Sequence, residues 1–110
     1  MGIRLTKPFR ALTTDEINEV SATLGVFELA DDNDTVVYIG YAGGRSLFGL
    51  RGILMDFIEK TSASRFRYEI NSAYLSRYQE LLMVHIADHD RLPVENDEKE
   101  MLNLGRLSPG

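Results

Sequence analysis

The chain has 110 residues, a length that fits one domain and leaves no room for a second. Hydrophobic residues make up 44% of it and charged residues 26%, as in ordinary water-soluble globular proteins, and no apolar run is long enough to span a membrane. The absence of cysteine excludes disulfides, thiolate metal sites and thiol catalysis. With no apolar stretch at the N-terminus, we expect a cytoplasmic protein.

The net charge of −5 is unlike that of most nucleic-acid-binding domains, which are basic. Residues 45–77 depart from this balance, because they hold six basic side chains against three acidic ones. This segment predicts either a locally basic face on an acidic protein or a set of solvated surface charges that have no partner.

The first predicted element is a short helix. Thr13-Thr14-Asp15-Glu16 is a capping box, in which a Thr side chain caps the helix start and Glu16 reaches back toward it. Apolar residues then recur at helical spacing, so the pattern predicts a helix over residues 14–23 that ends at Gly25.

A β-hairpin follows this helix. Residues 26–29 and 35–39 are rich in β-branched and aromatic side chains, and they flank a polar stretch at residues 31–34 that is typical of a turn.

The second half of the chain predicts three helices and one strand. Apolar residues follow one helical stripe between Leu47 and Lys60, and residues 66–70 alternate between apolar and charged side chains as a half-buried strand does. Helices are predicted over residues 73–87 and 97–104. The order is therefore αββαβαα, an α/β fold in which helices cover a small three-stranded antiparallel sheet.

Two short motifs on the hairpin resemble a known family. Gly25-Val26-Phe27 is followed by Tyr38-Ile39-Gly40, then by a helix that carries Arg51, a strand, and a helix that carries Glu80. This order resembles the GIY-YIG nuclease domain over about residues 12–96. The resemblance implies a single GIY-YIG-like domain over residues 1–110, with a C-terminal helix at about 97–104.

The resemblance also implies a divalent-metal-dependent endonuclease that cleaves DNA or RNA. Glu80 would hold a Mg²⁺ or Mn²⁺ ion, and Arg51 would clamp the scissile phosphate. Tyr38 would accept a proton from the attacking water. Arg45 and Asn96 would bind phosphate, and Arg45 competes with Arg51 for the clamp because the spacing from Tyr38 is longer than usual.

Two residues depart from the family pattern and support an alternative. Phe27 lacks the hydroxyl of the first-motif tyrosine, and Tyr41 stands where a basic residue is common. The alternative is a catalytically inactive GIY-YIG-fold binding or interaction module that needs no cofactor. A third hypothesis is a homodimer formed through apolar residues of the last helix.

Each proposed site residue also has an ordinary structural interpretation. Tyr38 fits a strand aromatic and Arg51 a solvated helix residue. Glu80 fits an exposed carboxylate paired with Arg77 three residues earlier, and Asn96 fits the N-cap of the last helix. His85 and His89 lie one helical turn apart, but two ligands without a third are a weak prediction of a metal site.

Overall fold

The sheet and its helices are described from a computed structural model, which describes residues 4–44 and 46–96. In chain order its elements are β1 (Arg10–Ala11), α1 (Thr14–Ile17), β2 (Gly25–Ala30), β3 (Val36–Ala42), α2 (Gly49–Phe57), β4 (Arg65–Ile70) and α3 (Tyr74–His89). The strands pair in the order β1-β4-β2-β3, and every pairing is antiparallel. The predicted α/β class is confirmed.

The predicted number of strands is wrong. Arg10 and Ala11 form a fourth strand that pairs with Phe66 and Arg65 of β4. Two residues are too few to show the alternation by which a strand is recognised in a sequence. Over the described residues the order is therefore βαββαβα, and the helix predicted at residues 97–104 lies outside them.

Helix α1 is shorter than the pattern predicts. Thr13 Oγ1 accepts a hydrogen bond from the N–H of Glu16 at 3.2 Å, as the capping box predicts, but the helix ends at Ile17. Beyond it, the N–H groups of Glu19 and Val20 donate to the carbonyls of Glu16 and Ile17. These tighter turns keep Val20 fully buried although the helix has ended.

The predicted hairpin is confirmed, and its turn is held by one side chain. Asp31 Oδ1 accepts hydrogen bonds from the N–H groups of Asn33 (2.9 Å) and Thr35 (3.0 Å). A carboxylate that binds the backbone ahead of it is a common way to fix a tight turn. Strand β3 continues through Gly40 to Ala42, beyond the predicted end at Ile39.

Strand β2 lies inside the sheet, and both of its faces are covered. Phe27 and Leu29 belong to a core that α1 and α2 complete, whereas Val26 belongs to the core on the opposite face, beneath α3. All six residues of β2 are buried. Because α2 and α3 cover opposite faces, side chains on these two helices approach each other only around an edge of the sheet.

The N-terminal segment lies beside β4. Leu5 is buried in the core beneath α3, and Arg4 forms an ion pair with Asp88 near the end of that helix at 2.7 Å. The guanidinium of Arg67 donates to the carbonyl of Lys7 at 3.3 Å. These contacts fasten the start of the described chain to its last strand and last helix. In the part of the chain that is described, no helix has the length and apolarity that a membrane crossing requires.

Candidate functional site

A cleft of about 790 Å³ lies at the edge strand β3. Its walls come from β2 and β3, from the loop that follows β3, and from α2 and α3. Pockets that bind small molecules usually measure about 300–1,000 Å³. The cleft is therefore large enough for a ligand of metabolite size.

One wall of the cleft is a group of three aromatic rings on the α2 face of the sheet. The ring centroid of Tyr38 lies 4.7 Å from that of Phe57 and 5.9 Å from that of Phe27. Phe27 and Phe57 meet edge to face at 5.8 Å. Such geometries are favourable for aromatic pairs, so this wall is packed in a defined arrangement.

The opposite wall consists of three tyrosines on the α3 face. Tyr41 stacks on Tyr74 at a centroid distance of 5.6 Å and meets Tyr78 edge to face at 4.8 Å. Together with Tyr38, these residues place four of the five tyrosines of the chain in the cleft. Half-exposed tyrosines at a cleft offer ring faces to a ligand as well as hydroxyl groups.

Two glycines allow the rings to lie directly against the strand and its loop. A Cβ at Gly40 would lie 2.6 Å from Cζ of Phe27 and 2.7 Å from Cε2 of Tyr38. A Cβ at Gly43 would lie 2.8 Å from the ring of Tyr74. Any larger residue at these positions would displace a ring, so Gly40 and Gly43 shape the cleft.

The polar groups of the cleft are few. Asp56 of α2 contributes a carboxylate. In the loop after β3, the N–H of Gly43 donates to Ser46 Oγ at 3.1 Å, and the N–H of Gly44 donates to the hydroxyl of Tyr74 at 3.3 Å. The amide of Gly43 thus holds the shape of the loop, and the amide of Gly44 joins the loop to α3.

Of the residues predicted to act in catalysis, Tyr38 lines this cleft. Arg51 does not contact it: its Nε donates to the carbonyl of Val20 at 2.9 Å, which joins α2 to the turn after α1. One nitrogen of the Arg51 side chain thus has a partner within the fold, and the role of phosphate clamp stays a prediction. Arg45, the alternative clamp, lies outside the described residues.

Glu80 lies on α3, on the other face of the sheet from the wall that holds Tyr38. Its carboxylate accepts a hydrogen bond from the guanidinium of Arg77, as its ordinary structural interpretation expects. Arg77 is buried and also binds Glu69 of β4 at 2.8 Å. The structure therefore places Glu80 in a carboxylate–arginine–carboxylate group that joins α3 to β4.

The environment of Glu80 does not fit a divalent-metal site. Its carboxylate is bound to a buried cation, and the described residues contain no group of three or more side chains that could hold a metal ion. Burial alone would lower the pKa of Arg77, but its hydrogen bonds with Glu69 and Glu80 bring the pKa above its ordinary value. A permanently charged arginine at this position competes with a metal ion for the carboxylate.

Asn96 binds the outer edge of β3. Its side-chain oxygen accepts the N–H of Ile39 and its side-chain nitrogen donates to the carbonyl of Ile39, both at 2.9 Å. The N–H of Glu95 donates to the carbonyl of Val37, also at 2.9 Å. These bonds occupy an edge that would otherwise be unpaired, and they give Asn96 a structural role that sequence reasoning did not predict.

Residues 45–77, for which either a basic face or solvated surface charges were predicted, contain several ion pairs. Three of its arginines bind carboxylates at 2.7–2.8 Å, in the pairs Arg65–Asp34, Arg67–Glu28 and Arg77–Glu69. Burial raises the pKa of Glu28, although the charge and hydrogen bond of Arg67 oppose this. Over the residues that the structure describes, these pairs offset part of the positive charge of the segment, and the basic face stays a prediction.

The two histidines of α3 lie close together without a further ligand. The ring centroids of His85 and His89 are 4.3 Å apart, and burial, followed by the charge of His89, lowers the pKa of His85. No third ligating side chain joins them within the described residues.

A family model described as a domain of unknown function (DUF7508) matches residues 3–88. The chain belongs to this family. The match includes all the cleft residues named above, whereas Asn96 lies beyond it. No curated protein and no solved structure matches the chain.

Sequence reasoning missed most of the DUF7508 cleft. Tyr74 and Tyr78 fall within the helix predicted over residues 73–87 without a role of their own, and Tyr41 is noted only as a departure from the family motif. The signal that was available is the alternation along β3, which places Tyr41 on the opposite face from Tyr38 and hence beside α3. Asp56 carried no signal, because an isolated acidic residue on a helix is usually solvated.

Proposed function

We propose that this DUF7508 domain is a catalytically inactive relative of the GIY-YIG fold and that it binds a ligand in the β3 cleft. The fold is supported by the position of the two motifs, which pair side by side on the hairpin with Phe27 opposite Gly40. It is also supported by the helix that follows this hairpin and by the third long strand, β4, which pairs with β2.

The binding function rests on the concentration of tyrosines in the cleft. Four of the five tyrosines line one concave surface, although nothing in a small core requires this, since phenylalanine fills space without a hydroxyl. Concave surfaces that combine aromatic side chains with a few polar groups are the usual form of small-molecule sites. In the described part of the loop, the N–H of Gly43 binds Ser46 and the N–H of Gly44 binds Tyr74 of α3, which supports a site that is formed before a ligand arrives.

A nuclease is the second candidate, and Tyr38 in the cleft is the observation that favours it. Phosphodiester cleavage would also require Arg51 and Glu80 beside Tyr38. Arg51 instead binds the carbonyl of Val20, and Glu80 binds Arg77. An active nuclease would therefore need a rearrangement of both helices, so binding without cleavage is the better-supported function.

The binding function is tested by a fragment screen followed with amide chemical shifts of the ¹⁵N-labelled chain. Binders should shift the signals of Gly40, Gly43 and Asp56, and Tyr78→Leu should abolish the shifts. Tyr68→Leu is the matched control, because Tyr68 is the one tyrosine that does not line the cleft. A screen in which no fragment shifts the cleft signals would refute the proposal.

Cleavage is tested separately with single- and double-stranded DNA and RNA in the presence of Mg²⁺ or Mn²⁺. We expect none from the wild-type chain or from Phe27→Tyr, which restores the missing hydroxyl. Cleavage that disappears in Glu80→Gln would replace the binding proposal with the nuclease.

A further inference from the structure

The charge of the cleft walls indicates which class of ligand the cleft takes. Asp56 is the one charged side chain among the lining residues of the described chain, and no lysine, arginine or histidine among those residues joins it. A site for a phosphate or carboxylate ligand normally offers a basic side chain or several free backbone N–H groups. Over the described residues, the lining of the cleft carries the opposite sign.

The loop amides do not compensate for this. The N–H groups of Gly43 and Gly44 are directed to Ser46 Oγ and to the hydroxyl of Tyr74, so an anion would have to displace internal hydrogen bonds to reach them. Breaking such bonds would cost an anion part of its binding free energy. A cation can bind without displacing these hydrogen bonds, because it does not need an N–H donor.

The aromatic rings of the walls attract a cation but not an anion. The face of a tyrosine ring carries the negative part of its quadrupole, and a cation within about 6 Å of the ring centroid is attracted to it. The ring of Tyr41 is partly exposed, and its centroid lies 5.6 Å from that of Tyr74 and 4.8 Å from that of Tyr78. A positively charged group that binds at Tyr41 therefore lies near two further rings, and Asp56 on the α2 wall adds a negative charge to the same cleft.

On these observations we infer that the cleft binds an organic cation, an ammonium group on a small apolar body. The inference rests on the proposed function and names its ligand class. The apolar body has its own surface to contact, because Leu47 and Leu75 line the cleft and are 77% and 49% exposed. The net charge of −5 also raises the local concentration of cations near the chain.

A matched series of three probes tests the charge preference directly. Choline, dimethylbutanol and dimethylbutanoate have nearly the same shape but are cationic, neutral and anionic. Titration of the ¹⁵N-labelled chain should give choline the lowest Kd, about tenfold or more below that of the alcohol, with weaker binding still for the carboxylate. Equal affinities for choline and the alcohol, or tighter binding of the carboxylate, would overturn the inference.

Variants show whether the preference comes from these walls. Asp56→Asn should reduce the advantage of choline over the alcohol severalfold, whereas Glu59→Gln, which makes the same change of charge just beyond α2, should not. Arg45→Ala removes from the loop sequence a positive charge, the same sign as that of choline. The variant should therefore bind choline as tightly as the wild type or more tightly. Weaker choline binding in Arg45→Ala, or an unchanged preference in Asp56→Asn, would contradict the inference.

The failure of this inference differs from the failure of the proposed function. If none of the three probes shifts the cleft signals while other fragments do, the ligand class is wrong and the binding site remains. If neither the probes nor any fragment shifts them, the binding function itself is refuted.

Discussion

Asn96 is expected to stabilise the fold through the edge of the sheet. Asn96→Ala removes two hydrogen bonds of 2.9 Å to the backbone of Ile39. Each such bond contributes about 0.5–1.5 kcal/mol net, and water can partly replace it at a half-exposed edge, so we expect a loss of about 1–2 kcal/mol in the free energy of unfolding. Urea unfolding followed by circular dichroism would measure the loss.

A second substitution tests whether the stabilisation requires both hydrogen bonds of the Asn96 amide or only a polar side chain at this position. Asn96→Asp keeps an acceptor for the N–H of Ile39 but places an oxygen against its carbonyl, so at neutral pH the variant should be no more stable than Asn96→Ala. An Asn96→Ala variant as stable as the wild type would refute this reasoning. If that variant instead lost ligand affinity at unchanged stability, Asn96 would be a binding residue, as the GIY-YIG resemblance implies.

Three further predictions concern the cleft and the buried ion pairs. Gly40→Ala should lower the free energy of unfolding, measured in urea, by about 1–3 kcal/mol, because its Cβ would overlap two rings. Gly44→Ala is the control, because Gly44 has open space around it, and it should cost less than about 1 kcal/mol. Equal effects of the two substitutions would contradict the packing argument. Arg77→Met should cost about 2–4 kcal/mol, because it leaves carboxylates without their buried cation, and Glu80→Gln should cost less than about 1 kcal/mol, because Glu80 is half exposed. Burial alone would raise the pKa of Glu69, but hydrogen bonds from Arg77 and Asn71 bring it below the ordinary 4.5. Folding therefore favours the ionised form of Glu69. Its contribution to stability is present above about pH 4.5 and is lost as the pH falls through the lower pKa of the folded state. Glu69→Gln should therefore reduce the fall in Tm that acid causes.

The parts of the fold that sequence predicted are those held by local interactions. The hairpin turn is set by Asp31 binding backbone groups two and four residues ahead, and the start of α1 by Thr13 binding Glu16. Both are visible in a short window of sequence. Strand β1 was missed because its two residues become a strand only through pairing with β4, more than fifty residues later.

The candidate site was harder to predict, because it depends on the order of strands in the sheet. Tyr38 was identified through its motif, but the motif does not show that β3 lies at an edge where side chains from both faces meet. Once that order is known, Tyr41 on one face and Phe57 on the other belong to the same cleft. A long-range contact likewise decides the position of Arg51, which binds the carbonyl of Val20, whereas the pairing of Glu80 with Arg77 three residues earlier is local and is expected from the sequence.

The fastening of the N-terminal segment has a consequence for how the chain folds during synthesis. Leu5 lies next to Arg4, whose partner Asp88 follows 84 residues later, so this segment is made well before the helix that buries it is complete. A growing chain therefore exposes this segment until most of the domain exists. Contacts at such separation raise the contact order, so we expect folding of the finished chain to be slower than that of a helical bundle of equal size.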